Sequence, residues 1–156
     1  LVVDADTVFL RPLVFIDDTG RYLVNAHWDY SAVRKKITAL LLDNNKVFQY
    51  DFVCHNMLFS KKVLKSMKQH IEQRFQKSWD QAVLDLLEKE KDGRSGFSEY
   101  DLYATYLTEF SGEKFKFVSN ANITVYRNFL DRLEQIMPVY SAMYKSISLH
   151  HFVLFK

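Results

Sequence analysis

Asp4 and Asp6, separated by one residue, are the first groups in this chain whose type and spacing could do chemistry. In extended backbone, residues two apart point to the same face, so both carboxylates could address one cation or one phosphate group. They follow Leu1-Val2-Val3, an apolar, mostly β-branched run that reads as a buried strand of an α/β sheet. Ligands in open α/β sheets collect outside the carboxyl ends of strands, where this pair falls. An isolated Asp-x-Asp is equally a polar strand end whose carboxylates cap the next turn. Its flanks, an apolar strand before and Thr7-Val8-Phe9-Leu10-Arg11-Pro12 after, carry further information.

Other reactive side chains stand at similar boundaries. His55 and Asn56 follow the strand-like run Val47 to Cys54. Glu99 and Asp101 bracket Tyr100 where an aromatic helix should begin, with Ser98 and Asp101 spaced as a capping pair. Acids in a first helical turn also serve ordinary helix electrostatics, yet two exceed what a cap needs. His150 and His151 are adjacent near the carboxyl terminus. Neighbouring strand residues face opposite sides, so one of the two at most could join a given site. Asp17-Asp18-Thr19-Gly20 reads as turn chemistry between two short apolar segments, Leu13 to Ile16 and Arg21 to Val24.

The elements that must hold these groups follow from periodicity. A helix near Tyr30, capped by Asp29, would bury Tyr30, Val33, Ile37, Leu40 and Leu41, leaving Arg34, Lys35 and Lys36 on a solvated surface. Ser60 should cap a second helix with Val63, Leu64, Met67, Ile71 and Phe75 as its stripe. A third, after Ser78, would bury Trp79, Val83, Leu86 and Leu87. Tyr100, Tyr103, Tyr106, Leu107 and Phe110 form the inward face of the aromatic helix. Lys114 to Val118 alternates as a strand with one wet face, and a possible strand follows at Ile123 to Tyr126. A last helix buries Phe129, Leu130, Leu133 and Met137 and is kinked or broken at Pro138.

At 156 residues and 48% hydrophobic, the chain can bury one sizeable core, and no linker or repeat divides it. A net charge of +2 does not support a nucleic-acid binder. One cysteine, Cys54, excludes an internal disulfide and suits a reducing compartment. No apolar run approaches the ~20 residues of a membrane span. The chain opens inside a strand without an initiator Met, as the carboxyl-side portion of a longer protein would.

Two families share the pattern Asp4-Ala5-Asp6-Thr7-Val8. It resembles the strand end of haloacid-dehalogenase-like phosphatases, which would make Asp4 a nucleophile and Asp6 a general acid. Those enzymes also need an acidic motif after a later strand, and none follows Asp6 at the right place. The pattern is also similar to that of metal-dependent glycosyltransferases of the GT-A fold. His55-Asn56-Met57-Leu58-Phe59 and Phe97-Ser98-Glu99-Tyr100-Asp101-Leu102-Tyr103 extend this second likeness, in order, to bacterial members associated with surface polysaccharides.

That resemblance implies a three-layer α/β/α domain over residues 1–156, lacking the amino-terminal nucleotide-binding half. It implies transfer of a sugar from a nucleotide-diphosphate donor, a uridine diphosphate sugar, to a carbohydrate acceptor. Mn²⁺ or Mg²⁺ would be held by Asp6 with His151 or His150, with His151 favoured. Asp4, His55 and Asn56 would help bind the donor, Glu99 would take the acceptor proton, and Asp101 would substitute for it or bind the acceptor. The setting implied is cytoplasmic, at the inner face of the membrane, with peripheral association and no transmembrane segment. A third reading, from a different class, is a non-catalytic carbohydrate-binding domain that keeps the fold.

Overall fold

A computed structural model describes residues 1–28, 31–44, 50–90, 96–119, 121–126 and 132–150. Its elements run β1 (Val2–Val3), β2 (Thr7–Phe9), β3 (Tyr22–Ala26), α1 (Ala32–Leu42), β4 (Asn56–Met57), α2 (Lys61–Phe75), α3 (Trp79–Glu90), α4 (Glu99–Glu109), β5 (Phe115–Ser119), β6 (Asn122–Tyr126), α5 (Leu133–Met143) and β7 (Ser146–His150). The class is mixed α/β.

Helix α4 is the hub. Every residue from Tyr100 to Leu107 is buried, so this helix has no wet side over two turns. A helix buried all round sits inside the core, its polar groups included, and a buried tyrosine needs a partner for its hydroxyl. Each of the three tyrosines finds one in a different place. Tyr100 donates to Asp4 Oδ1 at 3.2 Å, Tyr103 accepts from the Ser60 amide at 2.8 Å, and Tyr106 donates to Ser66 Oγ at 3.1 Å. The Tyr103 bond falls on the first turn of α2, whose cap Ser60 accepts from the Val63 amide. Burial pushes the Tyr103 hydroxyl up to about 12, so it stays protonated beside the cap. Ile37, Leu41 and Leu42 of α1, Ile71 of α2, and Phe52 close the core around Leu102, Tyr103 and Leu107. Phe110, expected inside, is 38% exposed, because α4 ends at Glu109 and the chain turns away.

Helix α1 starts later than its periodicity suggests. Ser31 is the cap, accepting from the Arg34 amide, while Asp29 and Tyr30 lie outside the described residues. The basic run on α1 is corrected more strongly. Lys35 is only 8% exposed, and its Nζ donates to Asp101 Oδ1 at 2.9 Å. Arg34 pairs with both Asp51 and Asp101. A lysine enters a core when a carboxylate awaits it there. Sequence periodicity could not see that carboxylate, since it comes from α4.

Among the described residues the strands pair into three small sheets. β1 pairs antiparallel with β4 (Val2↔Met57, Val3↔Asn56), and β3 pairs parallel with β5 (Tyr22↔Phe115). β7 sits between β2, antiparallel (Thr7↔Ser148), and β6, parallel (Asn122↔Ser146). Helix α5 is the crossover between β6 and β7, and it carries Pro138 in its interior. Leu1 and Val2 are exposed, contrary to the buried strand expected. β1 is a two-residue strand paired with β4 in a two-stranded sheet, which leaves that apolar end uncovered among the described residues. β7 is the middle strand and is buried from Ser146 to Ser148. The Ser146 and Ser148 hydroxyls both bond Asn122 Oδ1, and Ser148 also meets Thr7 Oγ1. Phe129 and Leu130 lie outside the described residues, as does the Leu133 side chain.

The Asp17 turn is as expected, closing on an Ile16↔Tyr22 bridge. Asp17 Oδ1 accepts from the Thr19 and Arg21 amides, both at 3.0 Å, and Gly20 takes φ +78 to complete the turn. The Arg21 amide, then the Thr19 hydroxyl, hold the Asp17 carboxyl well below the usual carboxylate range. Its contribution to stability is therefore fully present above the unfolded value of about 4 and is lost only as pH falls through the lower folded value. An NMR titration should find Asp17 still ionised at about pH 3; a midpoint near 4 would show that the turn does not hold it.

Candidate metal centre

The β1–β4 pairing decides the local geometry. Its register carries the residue after β1 beside the residue before β4, and the Asp4 amide donates to the His55 carbonyl at 2.9 Å. The side chains follow. His55 Nδ1 lies 3.1 Å from Asp4 Oδ2. After Asp4 the chain turns through Ala5 and Asp6, with the Thr7 amide donating back to the Asp4 carbonyl at 3.1 Å. That turn folds Asp6 toward the same point. One ligand atom each from Asp4, Asp6 and His55 lies within 4.8 Å of the others.

Two ligands on one divalent ion, each at about 2.0–2.6 Å, can stand at most roughly 4–5 Å apart. The spacing of the three ligand atoms is therefore within what a single ion can span. Two carboxylates suit Mn²⁺ or Mg²⁺, and the imidazole is accepted more readily by a transition ion such as Mn²⁺ than by Mg²⁺.

Tyr100 closes this group from the side of α4. Burial first, then the charge and hydrogen bond of Asp4, raise its hydroxyl above the ordinary tyrosine value. It stays protonated and donates, fixing the Asp4 carboxylate whose other oxygen meets His55. Cys54, one residue before His55, is buried and gives its thiol hydrogen to the Asn56 carbonyl at 2.9 Å. Burial pushes that thiol up to about 12, so it packs as a small core residue rather than a nucleophile.

Two buried carboxylates hold the segment that delivers His55. Asp101 Oδ1 accepts from the Phe52 amide at 3.0 Å, and Asp51 Oδ1 accepts from the Val53 amide at 2.7 Å. Both residues are fully buried, and Arg34 bridges them. Burial works against the Arg34 charge, but the hydrogen bonds and charges of Asp51 and Asp101 outweigh it and raise its pKa. His27 Nε2 meets the Val53 carbonyl at 2.7 Å.

The sequence-derived candidates thus separate. Asp4, Asp6 and His55 come together. Glu99 is exposed, one residue before Tyr100, and lines a groove. Asp101 does not share that groove: its side chain is sealed among Arg34, Lys35 and the Phe52 amide rather than returned to Ser98. Asn56 is buried too, and its side-chain oxygen meets Asn25 at 3.4 Å. Asp17 spends its carboxylate on the turn. β7 ends at His150, and the Leu149 amide donates to the Asp6 carbonyl at 2.9 Å, so the backbone of that strand end reaches the Asp4–Asp6 turn. The His150 side chain and His151 lie outside the described residues.

Sequence reading missed the Tyr100–Asp4 bond and the grouping of His55 with both aspartates. A signal for the first was present, since a tyrosine on an inward face must satisfy its hydroxyl. No helix among the described residues is long and apolar enough to cross a membrane. No known protein family, curated protein or solved structure matches this chain.

Proposed function

We propose that this chain is the metal- and acceptor-binding portion of a glycosyltransferase of the GT-A type, with the three-layer α/β/α core of that fold. The reading has a sugar passing from a nucleotide-diphosphate donor, a uridine diphosphate sugar, to a carbohydrate acceptor at the cytoplasmic face of a membrane. The observation that carries it is the convergence of Asp4, Asp6 and His55 on one point at the carboxyl end of β1. The ordered likeness of the flanking segments to bacterial polysaccharide glycosyltransferases supports it.

Asp4, Asp6 and His55 would hold a divalent ion, Mn²⁺ by preference, which supplies positive charge to the leaving diphosphate. The chain's own groups do the rest. Tyr100 keeps the Asp4 carboxylate oriented through its hydrogen bond. Glu99, exposed on the first turn of α4, accepts the proton of the acceptor hydroxyl. The acceptor oxygen then bonds to the anomeric carbon as the bond from that carbon to the diphosphate oxygen breaks.

Mn²⁺ titration of the full-length protein, with release of uridine diphosphate followed alongside, tests this reading. Asp6→Asn and His55→Ala should each weaken Mn²⁺ binding by roughly tenfold or more, about 1.4 kcal/mol per tenfold, and suppress Mn²⁺-dependent release. Asp6→Asn is nearly isosteric, so circular dichroism should be unchanged. Unaltered Mn²⁺ dependence in that folded variant would sink the proposal.

A further inference from the structure

Beside the metal centre, and sharing β1 and the first turn of α4 with it, lies a groove of about 350 Å³. That volume is at the lower end of the roughly 300–1,000 Å³ of small-molecule sites. Its lining includes Val2, Phe59, Leu64, Trp79, Phe97 and Leu102. Val2 is two residues before Asp4, and the Phe59 ring packs against Tyr100, the Asp4 partner, with centroids 5.8 Å apart. The groove and the candidate ion site are therefore two sides of one small assembly. Two charged side chains border it. Lys68 has its Nζ 4.5 Å from the Trp79 ring centroid, a cation–π contact that leaves the ammonium engaged. Glu99 is the other.

We propose that this groove binds the apolar part of the acceptor, so that the acceptor carries a hydrocarbon or aryl group next to its reacting hydroxyl. The inference rests on Glu99 being the base of the proposed reaction. A free sugar presents hydroxyls around its whole ring and needs several hydrogen-bond partners when buried. These lining side chains give it one carboxylate and one ammonium, the latter already set over the Trp79 ring. An alkyl chain or aromatic ring instead matches the apolar lining, and burying it removes apolar surface from water on both sides. Its attached hydroxyl then lies against Glu99.

Tryptophan emission of the full-length protein, titrated without metal or donor, reads the groove directly through Trp79. The probes are octyl glucoside below its micellar concentration, phenyl glucoside, and glucose. Octyl or phenyl glucoside should give a saturable blue shift at concentrations at least tenfold below any response to glucose. The octyl probe acting alone assigns a lipid-like chain, and the phenyl probe acting alone an aryl group; either supports the proposal. The shift should vanish in Trp79→Phe and move to roughly tenfold higher ligand in Leu64→Asp, or in Leu64→Gln if the aspartate does not fold. No response to either glucoside, an equal response to glucose, or a shift that survives both substitutions overturns it. A parallel Mn²⁺-dependent transfer assay separates the two readings. Transfer without any groove response defeats this inference alone. Groove binding without donor cleavage defeats the glycosyl-transfer reading, and with it the acceptor role of the bound group.

Discussion

Asp101→Ala is expected to cost about 3–5 kcal/mol of folding stability, read as a lower urea midpoint at unchanged slope. The side chain is fully buried and accepts from Lys35 Nζ at 2.9 Å, from Arg34 Nε at 3.3 Å and from the Phe52 amide at 3.0 Å. Removing it leaves a lysine 8% exposed without its carboxylate and a buried amide without its acceptor. Both are penalties of burial, and neither can be recovered from water. Asp101→Asn should also destabilise, since a neutral amide cannot balance Arg34 and Lys35. This changes how substitutions around Tyr100 must be read: an inactive Asp101 variant reports loss of the scaffold. A midpoint within error of the parent would mean that the buried ion cluster contributes nothing and that α1 is held by its apolar face alone.

Glu99→Gln should behave in the opposite way. Glu99 is exposed at the first position of α4, where a carboxylate adds only ~0.3–1 kcal/mol through the helix dipole. Stability should hardly move. If Glu99 takes the acceptor proton, kcat in the full-length protein should fall by about 10²–10⁴ with donor binding nearly unchanged. Size and hydrogen-bonding reach are retained in glutamine, so the loss would report the missing base. Normal turnover in Glu99→Gln would place acceptor activation elsewhere or indicate a retaining mechanism without such a base. Together the variants divide the motif Phe97 to Tyr103 into a residue for chemistry and a residue for architecture, two positions apart.

Position on the helix explains that division. Glu99 and Asp101 lie about 200° apart around α4, so one can face solvent while the other enters the core. The sequence alone showed two acids near a cap, and nothing in their spacing said which one the interior would claim.

Local signals were legible wherever the cause was local. Ser60 and Ser98 cap α2 and α4 because a serine before an apolar-periodic run satisfies an orphan amide. The stripes of Val63, Met67 and Ile71, and of Tyr100, Tyr103, Tyr106 and Leu107, are buried as their spacing requires. Asp17 holds its turn through groups at most four residues away. Tertiary structure decided what depends on distant partners. Lys35 is buried because Asp101, 66 residues on, is there to receive it. The apolar strand at the amino end is short and exposed because it pairs with β4 in a two-stranded sheet. His55 stands against Asp4 because an antiparallel register of two residues, Val2↔Met57 and Val3↔Asn56, brings together groups 51 positions apart. Periodicity reports which face of an element is apolar; it carries no information about which element that face will meet, and the candidate metal centre is made by that meeting.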